Sequence, residues 1–569
     1  MTTLESLGIV NSTDILIIGG GIAGLSAAIT IKEANSGLDV LVIDKATSGW
    51  AGKANKGGGN ITYVEEEDGM DHFVKYHVDH VGCFLEDQKL LRAYGESSRT
   101  ILERLEGWGV HIFRDENDNP KFIRWTEDLP WRMAVMDQDV TLNLVGKAKK
   151  LGVQFTDRTS IVDLLKDGDR VAGGIGFSVI DGACHIIRAK ATVLANGNQN
   201  YRLMRRWSSG RGDGIAAAYR AGAQMRNPEF GNFINWVFVD SRDVCQGAED
   251  VLYNAKGEHI TKAIRPTIEP DLHSKEVVAW YKEMQAGNGP ISANMAENRI
   301  LNEIVPAFHS DALAVRPIST AFWDRTIGKS MSAATKPGPM QEVVPGFIAE
   351  QSPVKVDHDM ATTLPGLFAI GDVSFSGSAW AGAVPSPPGR MRGTGLGNAV
   401  FSGIRGGSAA ADYAANTADV KIGPDQAQAL KKTMFAPLKR SPEIEAPELV
   451  RAIQDVMSPV GNSIYLHKNR IQKALDGILG IKAKVSQLYA KDWHYLAACN
   501  EVRSMVLSAE MFFKACLMRE ESRGWFIRED FPETDNTNWL KWIVASDNQG
   551  EMTLSTEDVP IDEYPVKPT

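Results

Sequence analysis

Three glycines at fixed spacing carry the first chemistry in this sequence. Gly19-x-Gly21-x-x-Gly24 follows the apolar run Ile15–Ile18 and opens the alanine-rich segment Leu25-Ser26-Ala27-Ala28. This is the order strand, tight turn, helix that binds a dinucleotide. The first glycine permits the turn, the second lets the backbone approach a pyrophosphate, and the third lets helix pack on strand. The helix start then offers unpaired N–H groups and a partial positive charge to phosphates. A second apolar run, Val40-Leu41-Val42-Ile43, ends at Asp44, twenty residues after Gly24. A carboxylate there suits ribose hydroxyls, and an ordinary glycine turn would leave Asp44 unexplained.

The elements that must position these groups read in order along the chain. Residues Ser48 to Asn60 are too glycine-rich for a helix or a packed strand. Directly after the ribose acid, they read as a loop lining a cofactor. From Met70 to about Trp108 the pattern is helical, with Leu90, Leu91, Tyr94, Ile101, Leu102 and Leu105 on one face. A basic-ended helix runs from Asp137 to Lys150, and Thr159 to Gly174 reads as a hairpin turning at Asp167-Gly168-Asp169. A strand from Cys184 ends in the small-residue turn Ala195-Asn196-Gly197, and Gly210 to Gly214 opens a helix with Asp213 as its N-terminal acid. Residues from about 228 to 345, richer in Trp, Pro and Asn, read as an insertion. The earlier pattern resumes in a strand ending at Gly371-Asp372. The loop 385–398 then leads into a small-residue helix from Ala399 to Tyr413. From about 425 the periodicity is helical, then polar and aromatic to the end.

The 569 residues suffice for three or four domains at ~150 residues each. A net charge of −10 argues against nucleic acid as a partner, because neutralising its phosphates needs a basic face. It leaves small anions open, since one local Arg cluster can hold them. Cys83, Cys184, Cys245, Cys499 and Cys516 contain no C-x-x-C pair, which fits neither a disulfide framework nor a metal or iron–sulfur site of this chain's own. The first thirteen residues lack the basic and apolar regions of a signal peptide. No run reaches the roughly 18 apolar residues of a membrane span. The expectation is a cytoplasmic protein with no metal ligands and no membrane span.

Taken together, these marks resemble the flavoprotein superfamily of succinate dehydrogenase, fumarate reductase, L-aspartate oxidase and the adenylylsulfate reductase α subunit. The matching motifs are GGGIAGLSAA, the glycine loop ending GGGN, Ala195-Asn196-Gly197, Gly212-Asp213-Gly214 and TTLPGLFAIGD. A sixth is Glu521-Ser522-Arg523-Gly524 with Arg528-Glu529-Asp530-Phe531-Pro532. The resemblance implies an α/β fold: a Rossmann-like FAD-binding domain in two parts, 1–227 and 346–424, an inserted α+β capping domain at 228–345, and a C-terminal helical domain and tail at 425–569. It also implies FAD. Gly19, Gly21 and Gly24 would face the pyrophosphate and Asp44 the ribose, with Ala23 and Lys45 as further cofactor-binding candidates. Gly58 and Asn60 would lie by the isoalloxazine. Val162 and Ala195 would lie by the adenine side and Asp372 by the ribityl–phosphate region, with Asn196, Gly197, Asp213 and Gly371 as further cofactor-binding candidates. Leu396, Asn398 and Val400 would sit at a helix start facing the flavin O2 edge, where the positive end of the dipole stabilises charge on reduced flavin.

Departures from the family pattern carry further expectations. The respiratory enzymes attach FAD through a His in the glycine loop. Ser48 to Asn60 contains none, so FAD is expected to be non-covalent. Fumarate reductases carry a motif like H-x-x-x-R-x-G-G-N, where this chain has Arg390 in place of the His and Thr394 in place of the Arg. The C4-dicarboxylate clamp is therefore not intact. The look of the chain is closer to adenylylsulfate reductase α, in which an Asn, an Arg, a His and a Trp surround the flavin; Asn60 matches the Asn and Trp236 is the candidate Trp. Arg390 and Arg392 are the candidate anion clamp, as planar guanidinium groups suit carboxylates, sulfur oxyanions and phosphates. Arg316 reads as either clamp or structural ion pair, Trp236 as either core or flavin contact, and Arg523 and Arg528 as structural or interfacial. The main expectation is an oligomeric FAD enzyme for a small anionic substrate with a ferredoxin-like iron–sulfur partner subunit. The alternatives are an enzyme of fumarate reductase or aspartate oxidase type without that partner, and a non-catalytic electron-transfer subunit.

Overall fold

A computed structural model describes residues 2–54, 59–65, 69–123, 130–136, 139–203, 210–231, 234–240, 245, 251–264, 274–297, 340–347, 350–375 and 394–568. Strand β1 (Ile9–Ile18) runs into helix α1 (Ile22–Ala34) and then β2 (Val40–Ile43). After helix α2 (Gln88–Gly107) come β3 (Gln154–Thr156), β4 (Thr159–Asp167), β5 (Arg170–Ser178) and β6 (Cys184–Leu194). Helix α3 (Asp213–Ala221), strand β7 (Leu367–Ala369) and helix α4 (Thr394–Ala415) complete the nucleotide-binding half.

Among the described residues seven strands form one sheet in the order β3-β2-β1-β6-β5-β4, with β7 also paired to β6. The β3, β2, β1, β6 and β7 ladders are parallel, and β4–β5 is the antiparallel hairpin expected at Asp167-Gly168-Asp169. Ile15, Leu16, Ile17 and Val42 are fully buried, as a parallel strand covered on both faces requires. Helices α1 and α4 pack through glycine. A Cβ on Gly403 would stand 2.7 Å from the Ala23 carbonyl oxygen, and one on Gly407 would stand 3.0 Å from Ala27 Cα. The small-residue composition of both helices thus serves their close approach.

The helical stretch expected from Met70 to Trp108 is interrupted. Helix Met70–His77 passes into a wide turn at Val78–Gly82, and Cys83 and Phe84 follow in the left-handed region at φ 46° and 70°. Asp87 then caps α2, its carboxylate accepting from the Lys89 and Leu90 amides. In the C-terminal part, helices α5 (Ala446–Met457), α6 (Lys468–Lys484) and α7 (Trp493–Met518) pack together. The segment beyond them is ordered structure rather than a tail. Lys541–Asn548 and Glu551–Asp558 form a hairpin that turns through Gln549 and Gly550, both at positive φ. It joins the nucleotide-binding half by pairing Val544 and Ala545 with Arg226 and Met225. Its inner strand buries Trp542, Ile543, Val544 and Ala545.

Candidate functional site

Three chain segments converge at the start of α1. Gly19 takes φ 118°, and a Cβ there would lie 2.4 Å from the Ala195 carbonyl oxygen. Gly24 abuts the turn, with its added Cβ 2.1 Å from the Gly19 carbonyl oxygen. Gly21 differs: no heavy atom lies within 4 Å of where its Cβ would be, and α1 starts there with no side-chain cap. Close packing thus requires Gly19 and Gly24, whereas Gly21 fronts open space at a helix start, which is the arrangement a pyrophosphate needs. The Asp44 carboxylate is fixed beside it, Oδ2 accepting from the Gly20 amide at 2.8 Å and Oδ1 from the Ala46 amide at 2.7 Å.

The late segment returns to the same place. Gly371, at φ 63°, has no room for a Cβ, which would fall 2.8 Å from Ala23 Cβ. Its amide donates to Ser402 Oγ at 2.9 Å, and that hydroxyl donates to the Asn398 carbonyl at 2.6 Å. Val400 is fully buried and Leu396 packs against the same core. Asn398 is buried, yet its Nδ2 has no partner; strand Asn60–Tyr63, which packs against α4, likewise leaves Asn60 Oδ1 buried and unpartnered. Asn196 Oδ1 and both polar atoms of the Asn198 side chain share that state. Buried polar groups are ordinarily paired, so these amides fit a bound polar group. The FAD that the motifs imply matches this donor and acceptor set, and Gly19, Gly21, Ala23, Gly24, Asp44, Asn60, Asn398 and Asp372 would hold it.

Lys45 and Asp213, both expected among the cofactor-binding residues, belong to a charged node. Lys45 pairs with Asp213 and, at 3.1 Å, with Glu501 of α7; Arg202 and Arg211 also reach Glu501. Burial opposes ionisation of Glu501, but Lys45, Arg211 and Arg202 more than offset it and bring its carboxyl down to about 2. Asp213 is the first residue of α3, the N-terminal acid expected there, and its carboxylate also serves this node; the N-cap residue Gly212, at φ 68°, gives no side-chain cap. Val162 is the extra residue of a bulge in β4; its side chain is buried toward the C-terminal helices and its carbonyl accepts from Arg220 at 2.7 Å. Gly197, at φ 75°, closes the turn after β6. Trp236 is fully buried in the strand Ile234–Phe238, and its indole N–H has no partner. Gly58, Arg316, Arg390 and Arg392 lie outside the described residues.

Sequence reading missed Lys53 and Glu350. The Lys53 ammonium pairs with the Glu350 carboxylate and lies 3.8 Å from Asp372 Oδ2. A lysine in a glycine loop, one of two there with Lys56, was the available signal for Lys53; nothing local marks Glu350. Arg519, Arg523 and Arg528 are buried within the chain, bonded to Glu229, Glu521, Asp530 and several carbonyls, so the Glu-Ser-Arg-Gly motif is structural here. The five cysteines are free. Among the described residues no group of three His, Cys, Asp or Glu side chains could hold a metal, and no helix is long and apolar enough to cross a membrane.

A sheet with a parallel core, whose glycine turn, second-strand acid and late glycine–aspartate turn meet at one helix start, defines a dinucleotide-binding protein. Residues 14–386 match the FAD binding domain family and residues 451–569 the fumarate reductase flavoprotein C-terminal family. The chain belongs to the FAD-dependent flavoproteins of the fumarate reductase and succinate dehydrogenase family, whose members are oxidoreductases. It is 24% identical to a fumarate reductase flavoprotein subunit of Haemophilus influenzae, over 95% of this chain and 92% of that one. It shares its fold with E. coli quinol fumarate reductase at 20% identity and a TM-score of 0.82, over 98% of both chains. It also shares it with an adenosine-5-phosphosulfate reductase in complex with sulfite, at 22% identity and a TM-score of 0.77, over 97% of this chain and 96% of that one.

Proposed function

We propose that this chain is the FAD-bearing subunit of an oxidoreductase for a small anionic substrate, a sulfur oxyanion or a carboxylate, in the manner of the adenylylsulfate reductase α subunit. It exchanges electrons with a separate ferredoxin-like iron–sulfur subunit. The observation that carries this reading is the sequence ahead of α4, where Arg390 and Arg392 stand in a stretch that lacks the His and Arg of the dicarboxylate clamp. Bound FAD supplies two-electron chemistry at its isoalloxazine ring. Arg390 and Arg392 bind and orient the anion through forked N–H pairs. The start of α4 contributes positive potential, and Asn60 and Asn398 offer buried amides to the ring edge. Arg316 is a further candidate for the clamp and Trp236 for the wall of the site. With no His between Ser48 and Asn60, the cofactor is held without a covalent bond. The scattered cysteines supply no cluster motif, which supports a partner chain for single-electron transfer.

Anaerobic photoreduction followed by mixing tests the reading. Reduced protein is expected to be reoxidised by a ferredoxin-type iron–sulfur protein, and its flavin spectrum to respond to sulfite or adenylylsulfate. Rapid reoxidation by fumarate or O2 alone would support the second reading, an enzyme of fumarate reductase or aspartate oxidase type; the similarity to the Haemophilus influenzae subunit favours it. Arg390→Ala is expected to weaken the anion by about 10- to 100-fold, a loss of roughly 1.5–3 kcal/mol for a charge-assisted hydrogen bond, with FAD content unchanged. Anion titration and the ratio of flavin to protein absorbance check both halves.

A further inference from the structure

We propose that Lys53 is the cation that offsets the negative charge of the FAD pyrophosphate–ribityl region, and that Glu350 positions it, making the root of the inserted segment part of the cofactor site. The loop that carries Lys53 lies against the phosphate turn: the Gly49 amide donates to the Gly20 carbonyl at 2.7 Å, and a Cβ on Gly52 would stand 3.4 Å from Gly21 Cα. The Lys53 side chain is largely buried, 16% exposed, between Glu350 and Asp372, which are 3% and 14% exposed. Asp44 lies at the glycine turn, on the Gly20 amide, and Asp372 and Glu350 both lie against Lys53. A pyrophosphate adds two more negative charges, which the helix start alone offsets only by a partial charge. Of the two lysines between Asp44 and Ala54, Lys45 pairs with Asp213 and Glu501 and Lys53 with Glu350 and Asp372, and only Lys53 follows directly on the residue that abuts Gly21. That leaves Lys53 as the cation of this stretch placed beside the glycine turn.

Glu350 gives this cation a second consequence. Its amide donates to the Gly231 carbonyl at 3.0 Å, and the next residue, Gln351, bonds the Gln199 backbone and the Pro228 carbonyl. Here the chain enters and leaves the inserted segment. The ion pair between Lys53 and Glu350 therefore ties that junction to the phosphate loop. Occupancy of the cofactor site and the setting of the insertion share one charged contact.

The test uses the full-length chain stripped of flavin and titrated with FAD, with ADP as competing probe, between 50 and 500 mM NaCl. Lys53→Met is expected to weaken FAD and ADP by about 30-fold or more, the scale of losing one partner of a buried charge pair. It should also flatten the salt dependence, while Lys53→Arg stays within about threefold of the parent. Glu350→Gln is expected to weaken FAD by a smaller factor with the salt dependence kept. Lys53→Met binding FAD within about threefold of the parent would overturn the proposal, as would an unchanged salt slope with only a lower melting temperature. Should Lys53→Met fail to fold, a parent affinity that does not move with salt would overturn it. These readouts are independent of substrate and electron partner, so the proposal stands or falls apart from the substrate reading above.

Discussion

Gly24→Ala is expected to give a protein that melts at lower temperature even without flavin and does not retain FAD through purification. The added methyl would meet the Gly19 carbonyl oxygen at 2.1 Å, Ile17 Cγ2 at 3.1 Å and Ala195 Cβ at 3.2 Å. Backbone and packed core cannot swing aside as a flexible side-chain tip can. Overpacking of this kind costs about 1–3 kcal/mol or more, and the part that must move is the turn that meets the pyrophosphate. Gly21→Ala separates the two effects. Its methyl meets no protein atom within 4 Å, so the flavin-free protein should melt close to the parent while FAD affinity falls at least about tenfold, because the methyl enters the space the backbone leaves for phosphate. Thermal melts of flavin-free protein and FAD titrations, run on both variants, check the contrast. Equal behaviour of the two would contradict the separate roles assigned to these glycines.

Arg519→Met is expected to be the most destabilising single change, by about 3–5 kcal/mol, because it leaves buried carboxylates without their cation. Arg519 is fully buried. It donates to Glu229 Oε1 and Glu521 Oε1 at 2.8 Å each and to the Lys541 carbonyl at 2.8 Å, and its guanidinium lies 5.1 Å from the Phe230 ring centroid. Burial already pushes the Glu229 carboxyl up, and Arg519 is the main group opposing that shift. Once Arg519 is gone, Glu229 must take up a proton or remain an uncompensated charge. Adding Glu229→Gln to Arg519→Met should therefore recover part of the loss, and urea unfolding followed by tryptophan fluorescence measures it. A double variant less stable than Arg519→Met alone would contradict this account of the network.

The parts of the fold set by local sterics were legible in the sequence. Gly19, Gly21 and Gly24, the acid at the end of β2, the hairpin at Asp167-Gly168-Asp169 and the Gly371-Asp372 turn each leave a mark within a few residues. The interruption after His77 was not, because Leu90, Leu91 and Tyr94 keep helical spacing on one side of it and the left-handed residues are Cys83 and Phe84 rather than glycine. The C-terminal hairpin carries a turn signal at Gln549-Gly550, but its outer strand is polar and exposed, so only its pairing with Met225 and Arg226 reveals it. Ionic contacts were least legible: Lys53 with Glu350, Lys45 with Glu501, and Arg519 with Glu229 each join residues far apart in sequence. Charge type at one position says little about a partner that only the fold supplies.

The most direct measurement is the absorption spectrum of the purified full-length chain, followed by acid precipitation. The account predicts flavin bands at about one FAD per chain, and release of all of the colour into the acid supernatant as intact FAD. A folded protein with no flavin bands and no uptake of added FAD would contradict the cofactor site. Colour that stays with the precipitate would contradict attachment without a covalent bond.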